Sequence, residues 1–247
     1  MHTLFISDLH LSADQPHSMA AFQRFITTLA PQACLEPSLR AEALYILGDL
    51  FEYWAGDDDM HDDFHAQVIR ALQQLTAHGI KVYLMHGNRD LLMGDALAQA
   101  CHATLLTDPT LLDLYGKPTL ITHGDILCTD DTAYQNYRKQ VHDPAWQQQF
   151  LAQPLAQRKI FIGQLRTRSA QEKKHKADDI MDVNNDSVAA LLRAHDYPRL
   201  IHGHTHRPKL HEHIVDNHPC ERWVLSDWDK PPSALHCDSQ GCCVVSF

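Results

Sequence analysis

Apolar residues along the chain gather in short runs that stop at a glycine or a charged residue, with amphipathic stretches between them. Residues 2–7 alternate weakly and end in Ser7-Asp8, which predicts a strand delivering a carboxylate to its C-terminal end. From Ser18 to Ala30 the apolar positions Met19, Phe22, Phe25, Ile26 and Leu29 recur at helical spacing. Residues 43–47 (Ala-Leu-Tyr-Ile-Leu) form an unbroken apolar run followed by Gly48-Asp49. Such runs suit strands buried on both faces, as in a sheet covered by helices. His61 to His78 predicts a second helix, stopped by Gly79. A third strand is expected at 80–85, before His86-Gly87-Asn88, and a fourth at 118–122, before His123-Gly124-Asp125. A fifth contains Leu200-Ile201 and precedes His202-Gly203-His204-Thr205-His206. From about 208 to 246, short β-like pieces and turn residues predict antiparallel strands that complete the core.

Between Thr129 and Pro198 the texture changes. Gln, Ala, Lys and Arg dominate, β-branched runs are few, and Pro144 and Pro154 break the helical pattern. This predicts an insertion of several helices between two core strands, at about 130–185, within a single domain of 1–247. Phe150, Leu151, Leu155, Ile160, Phe161, Ile162 and Leu165 exceed what one buried helical stripe requires.

Composition adds limits. The 247 residues, 44% hydrophobic and 21% charged, suffice for a substantial core. Nothing near 18 consecutive apolar residues occurs, so no transmembrane helix is expected. Met1-His-Thr-Leu-Phe-Ile-Ser has no basic stretch ahead of an apolar segment, which predicts no signal peptide. The seven cysteines (Cys34, Cys101, Cys128, Cys220, Cys237, Cys242 and Cys243) are irregularly spaced, without a Cys-x-x-Cys. Reduced thiols in the cytoplasm are therefore expected. A zinc site from Cys220, Cys237, Cys242 and nearby histidines is disfavoured, since no usual zinc spacing is met. A net charge of −10 argues against nucleic-acid binding over the whole surface. Yet Arg158, Lys159, Arg166, Arg168, Lys173, Lys174 and Lys176 place seven of the 21 basic residues in one stretch. Nineteen histidines are far more than a core needs and raise the expectation of metal chemistry.

Five expected strand ends carry metal-binding residue types: Asp8-x-His10, Gly48-Asp49, Gly87-Asn88, His123 and Gly203-His204-x-His206. In a covered sheet, ligands bind beyond the carboxyl ends of the strands, so distant parts of the chain meet on one rim. The glycines are expected to turn the backbone sharply, aiming the next side chain at that rim. Oxygen and nitrogen donors without thiolate suit Mn²⁺, Fe²⁺ or Zn²⁺. Seven donors are too many for one ion, and Asp49 can bridge two. Two ions about 3.5–4 Å apart can activate a water and clamp a phosphoryl group. Taken singly, Gly-Asp is usually a turn and a strand-end histidine usually a satisfied surface group; the joint appearance in order points to a metal centre. Asp57-Asp58-Asp59 is expected as an exposed acidic loop, and His61, His65, His78, His102, His142 and His175 as surface residues.

These blocks, spanning Asp8 to His206, resemble the calcineurin-like metallophosphoesterases. The resemblance implies an α/β (α+β) fold, a double β-sheet sandwich flanked by helices, here with a helical lid. It implies two Mn²⁺ ions per chain: one held by Asp8, His10, Asp49 and His206, the other by Asp49, Asn88, His123 and His204. The family often has a histidine after the metal-binding asparagine, whereas this chain reads Gly87-Asn88-Arg89-Asp90. Arginine cannot donate its proton as a general acid but can hydrogen-bond a phosphate in a fork. That suits a leaving group that departs without protonation, as a nucleotide phosphate does.

Gly-Asn-Arg-Asp, with Leu47-Gly-Asp-Leu-Phe-Glu-Tyr-Trp-Ala-Gly-Asp57-Asp58 and Ile180-Met-Asp-Val-Asn184, is similar to one branch of that family. Its members cleave the pyrophosphate of UDP-2,3-diacylglucosamine to UMP and 2,3-diacylglucosamine 1-phosphate (lipid X) in lipid A biosynthesis. The likeness implies catalytic roles for Asp49, Asn88, Arg89 and His123. It implies substrate contacts from Asn88, Arg89, Asp131, Ser169, Lys173, Lys176 and His204, although Lys173 stands where a smaller polar residue is expected. It also implies a monomer that is peripheral on the cytoplasmic face of the inner membrane and binds no nucleic acid. The residues of 150–176 agree, mixing apolar positions with the basic cluster as a lipid-linked pyrophosphate requires; such a surface also favours docking on an anionic membrane. The plainer reading is a helix pair packed on the core with a solvated basic face. Two alternatives stay open: a two-metal phosphoesterase for dinucleoside polyphosphates or phosphodiesters, and a metal-binding scaffold without catalysis.

Overall fold

The computed structural model describes residues 1–29, 41–173, 182–229 and 231–247, with side chains only through Thr167 in the helix that ends at Lys173. The first half of the chain forms β1 (His2–Ile6), α1 (Pro16–Leu29), β2 (Ala41–Leu47), α2 (Asp63–Ala77), β3 (Lys81–Met85), α3 (Asp95–Ala100), β4 (Thr104–Leu106), β5 (Thr110–Leu114) and β6 (Lys117–Thr122). Then follow α4 (Thr132–Val141), α5 (Pro144–Leu151), α6 (Leu155–Lys173), α7 (Asn185–Ala194), β7 (Arg199–His202), β8 (Lys209–Val215), β9 (His218–Val224), β10 (Ser233–Asp238) and β11 (Gly241–Ser246).

The strands make two sheets, ordered β11-β10-β1-β2-β3-β4 and β5-β6-β7-β9-β8. Alternation sorts the side chains into layers. On β1 and β2, Leu4, Ile6, Leu44 and Ile46 face a core shared with Phe22 and Phe25 of α1 and Val68 and Leu72 of α2. Phe5 and Leu47 point the other way and meet Ile121 and Ile201 between the sheets. Beyond the second sheet, Leu120 and Leu200 pack on Val188 and Leu192 of α7. The result is the expected double sandwich flanked by helices. Helices α4, α5 and α6 stand apart from these layers, between β6 and α7 in the chain.

Several expectations are corrected. The five ligand-bearing strands do not share one sheet: β1, β2 and β3 are parallel neighbours in the first, and β6 and β7 in the second. The tail is not wholly antiparallel, because β9 runs parallel to β7 while pairing antiparallel with β8. The short elements α3, β4 and β5 carried too little periodicity to be recognised. Cys237 and Cys242 form a disulfide, against the expectation of reduced thiols throughout, because the β10–β11 register sets them opposite each other.

The acidic run is an exposed loop only at Asp58, not at Asp57 or Asp59. Asp57 accepts hydrogen bonds from Trp54 Nε1 and from the amides of Gly94 and Leu97, anchoring the start of α3. Asp59 is buried and pairs with Lys159. His65 is buried too, its ring against Phe51 and Trp54. Among the described residues, no helix is long and apolar enough to cross a membrane.

Candidate metal centre

The loops after β1 and β2 continue side by side beyond the regular sheet. Asp8 N–H donates to Gly48 O at 3.1 Å, and His10 N–H to Asp49 O at 3.0 Å. From the second sheet, Gly203 N–H donates to His123 O at 2.9 Å, aligning the loops after β6 and β7. Both sheets therefore present their C-terminal ends to one rim. Asp8, His10, Asp49, His204 and His206 all have positive φ, between 48° and 68°. Left-handed backbone at a non-glycine residue costs of order 1–3 kcal/mol and concentrates at functional sites. The turn is thus made by the candidate ligands themselves. Gly48 (φ +87°) does turn as expected, but Gly87 serves close approach: a Cβ there would collide with Asp49 N and Oδ1.

The rim holds two clusters. In the first, His10 Nε2 and His206 Nε2 lie 3.4 Å apart, and Asp8 Oδ1 is 3.4 Å from His206 Nε2. In the second, Asn88 Oδ1 lies 3.1 Å from His123 Nε2 and 2.9 Å from His204 Nδ1. Asp49 stands between them, with Oδ2 at 3.9 Å from His10 Nε2 and Oδ1 at 3.9 Å from His123 Nε2. The structure thus brings together all seven expected ligands, with one oxygen of the shared carboxylate toward each cluster.

The donors fit divalent cations. Asp8 Oδ2 is saturated by Ser7 Oγ at 2.6 Å and the His204 amide at 2.8 Å, while buried Oδ1 has no hydrogen bond. His10 Nδ1 lies 3.1 Å from Glu52 Oε2, and His206 Nδ1 lies 3.2 Å from Asp227 Oδ2. A ring whose Nδ1–H faces a carboxylate presents an Nε2 lone pair. Two such lone pairs facing each other repel unless a cation lies near both. Three aspartates pull the same way: burial opposes the charged imidazole of His123, yet Asp49, Asp8 and Asp125 raise its pKa to about 9. The surrounding protein atoms and His123 push His204 down to about 3. Burial would raise Asp8, but the imidazoles beside it, of His206, His123 and His10, hold it well below the usual carboxylate range.

Sequence reasoning missed the supporting residues. Buried Asp90 accepts from the amides of Gly87, Asp49 and Phe51 at 2.8–3.2 Å, pinning two ligand loops together. Asp125 accepts from Tyr134 Oη at 2.6 Å and Arg138 Nε at 2.8 Å, and the Tyr134 ring stacks on His204 at 5.8 Å. Glu52 and Asp227 back the first cluster. Asp90 lies inside Gly-Asn-Arg-Asp, Glu52 inside Leu-Phe-Glu-Tyr-Trp and Asp125 two residues after His123, whereas Tyr134 and Asp227 lie outside the strand-end motifs.

Beside the rim, between the core and helices α4 to α6, opens a cavity of about 330 Å³. Asn88, Arg89, Glu52 and Arg166 line its polar end, and Trp54, Tyr137, Trp146, Phe150, Ile162 and Leu165 its apolar part. Of the other expected substrate contacts, His204 belongs to the second cluster and Asp131 is not part of this lining. Asp131 caps α4, accepting from Tyr134 N–H at 3.0 Å. Ser169 and Lys173 fall on α6, where side chains are not described, and Lys176 lies outside the described residues. The basic stretch is also less free than its composition implied. Arg158 is buried against Ala55 O and Asp58, Lys159 holds Asp59, and Arg166 holds Glu52. These three cations fasten α6 to the core.

A calcineurin-like phosphoesterase family model matches residues 1–208. Among curated relatives named UDP-2,3-diacylglucosamine hydrolase, one from Aromatoleum aromaticum is 50% identical, covering 98% of this chain and 95% of its own length. One from Edwardsiella ictaluri is 48% identical, covering 98% of this chain and 90% of its own length. A solved archaeal phosphodiesterase matches all of both chains with a TM-score of 0.50 at 13% identity, a likeness of fold. Matched by the family model from its first strand through the last metal-binding motif, and identical at half its aligned positions to a curated relative, the chain belongs to the calcineurin-like phosphoesterase family.

Proposed function

We propose that the chain hydrolyses the pyrophosphate bond of UDP-2,3-diacylglucosamine, giving UMP and 2,3-diacylglucosamine 1-phosphate for lipid A biosynthesis. The observation that carries this reading is the junction at Arg89, where a rim of metal-type donors meets a largely apolar cavity. The relatives named for this activity cover nearly the whole chain. Two Mn²⁺ ions, held by Asp8, His10, Asp49 and His206 and by Asp49, Asn88, His123 and His204, would activate a water and neutralise phosphoryl charge. The oxygen and nitrogen donor set suits Mn²⁺.

The chain's own residues supply the rest. Arg89 offers its guanidinium fork to the phosphate oxygens, where charge builds in the transition state. Asn88 and His204 reach the same phosphoryl group from the second cluster. Water oxygen joins the UMP-side phosphorus, and the bond from that phosphorus to the bridging oxygen breaks. The sugar 1-phosphate then leaves as an anion, so no general acid is required where Arg89 stands. Trp54, Trp146, Phe150 and Leu165 cover the acyl chains, with α4 to α6 acting as a lid. Asp131, Ser169, Lys173 and Lys176 complete the substrate contacts in this reading.

Leu151, Ile160 and Phe161 are exposed on α5 and α6, which supports peripheral docking of a monomer on the inner-membrane surface. UMP release from the acylated sugar nucleotide, measured with Mn²⁺ and after chelation, tests the proposal. Metal-dependent release is expected; a preference for soluble phosphodiesters would overturn the substrate assignment.

A further inference from the structure

Glu52 stands between the metal rim and the covering helix α6. Its Oε2 lies 3.1 Å from His10 Nδ1, and its Oε1 accepts from Arg166 Nε at 3.1 Å. Oε1 is also 3.7 Å from Arg89 Nη1. The side chain is 14% exposed, so these contacts are largely shielded from water and salt. The Arg166 guanidinium also sits 5.5 Å over the ring of Tyr53. One carboxylate thus touches an expected metal ligand, the phosphate-facing arginine and a lid side chain.

We propose that Glu52 is a positioning residue that couples docking of α6 to the metal-ligating imidazole of His10, so that metal binding and lid docking favour each other. This rests on the metal-centre reading above. Arg166 holds Oε1 from the lid side, which leaves Oε2 facing His10 Nδ1 at 3.1 Å and thereby orients Nε2 toward the rim. Lifting α6 removes Arg166 from Oε1 and frees the carboxylate to rotate toward Arg89, away from His10. A ligand whose outer partner is lost typically binds its metal about 10–100-fold more weakly. The coupling is reciprocal by linkage, so a metal at His10 holds Glu52 in place and thereby holds Arg166 and α6.

The test uses the full chain after chelation, with Mn²⁺ affinity from electron paramagnetic resonance and amide hydrogen exchange over residues 155–167. In the wild type, Mn²⁺ should slow exchange in α6. Glu52→Gln should weaken Mn²⁺ binding about 10–100-fold and abolish the slowing even at saturating Mn²⁺. Arg166→Ala should also weaken Mn²⁺ binding, by no more than Glu52→Gln does, and lose the slowing; circular dichroism checks that both variants fold. Mn²⁺ binding without slowing in the wild type, or slowing that survives in either variant, would overturn the coupling while sparing the metal centre. Absence of Mn²⁺ binding in the wild type would overturn both.

Discussion

The two clusters of the rim contain similar ligands but support them differently. In each, one imidazole is buried (His10, His123) and its neighbour half-buried (His206, His204). His10 and His206 are backed by carboxylates, Glu52 and Asp227, that belong to loops. His123 is backed by the backbone: its Nδ1 lies 2.9 Å from Leu47 O, the last carbonyl of β2. His204 rests against the Tyr134 ring and takes its backbone position from Asp8. A ring held by a strand carbonyl moves only if the sheet moves. A ring held by a carboxylate follows whatever else that carboxylate touches, and Glu52 touches the lid. The His123 imidazole is therefore fixed by the fold, while that of His10 is open to adjustment by α6 through Glu52.

The largest expected effect comes from the residue the halves share. Asp49→Ala removes the carboxylate that faces both clusters, so UMP release should fall by about 10³-fold or more, with Mn²⁺ content falling in parallel. If Mn²⁺ content dropped by only one ion per chain, Asp49 would serve one half and the bridging role would fail. Arg89→Ala leaves both ligand sets in place and should lower kcat by about 10²–10³-fold with Mn²⁺ affinity nearly unchanged. A comparable loss of Mn²⁺ binding would assign Arg89 to the metal centre instead.

Tyr134→Phe is the smaller test, confined to the strand-backed half. It removes the hydroxyl that donates to buried Asp125, which should cost about 1–3 kcal/mol in urea unfolding. Mn²⁺-induced protection of α6 should persist, because His10 and Glu52 are untouched. The smallest effect is expected outside the site altogether. Partial burial disfavours the Glu221 carboxylate, but its bonds from Lys117 and Arg199 hold its pKa at about 2, below the usual 4.5. Its contribution is complete above about pH 4.5 and fades as the pH falls toward 2. The Tm gap between wild type and Glu221→Gln should therefore close over that range, with metal binding at neutral pH unaffected.

The candidate ligands stand out in the sequence because their signal is local. An apolar run buried on both faces, closed by Gly48-Asp49 or Gly87-Asn88, marks a strand end in a few residues. Glu52, Tyr134, Asp125 and Asp227 carry no such mark. Each is an ordinary polar residue until folding brings it against a ligand from another loop or helix. Asp57 and Asp59 were misread for the same reason, since only docking of α3 and α6 turns an acidic run into buried acceptors. The basic cluster looked free for phosphate, yet Arg158, Lys159 and Arg166 are engaged by carboxylates and a carbonyl more than a hundred positions earlier or nearly so.

By itself, the sequence determined which residues can ligate metal, their order along the chain, and their place at strand ends. Strand periodicity and apolar runs are properties of neighbouring residues, and donor chemistry is a property of each side chain. The tertiary structure decided that these ends come from two sheets facing one rim, and that Asp49 turns one oxygen to each cluster. It also decided that one cluster leans on a strand carbonyl and the other on Glu52. Those outcomes depend on which strands pair and which helix docks over them, and such long-range choices are settled by packing of the whole chain.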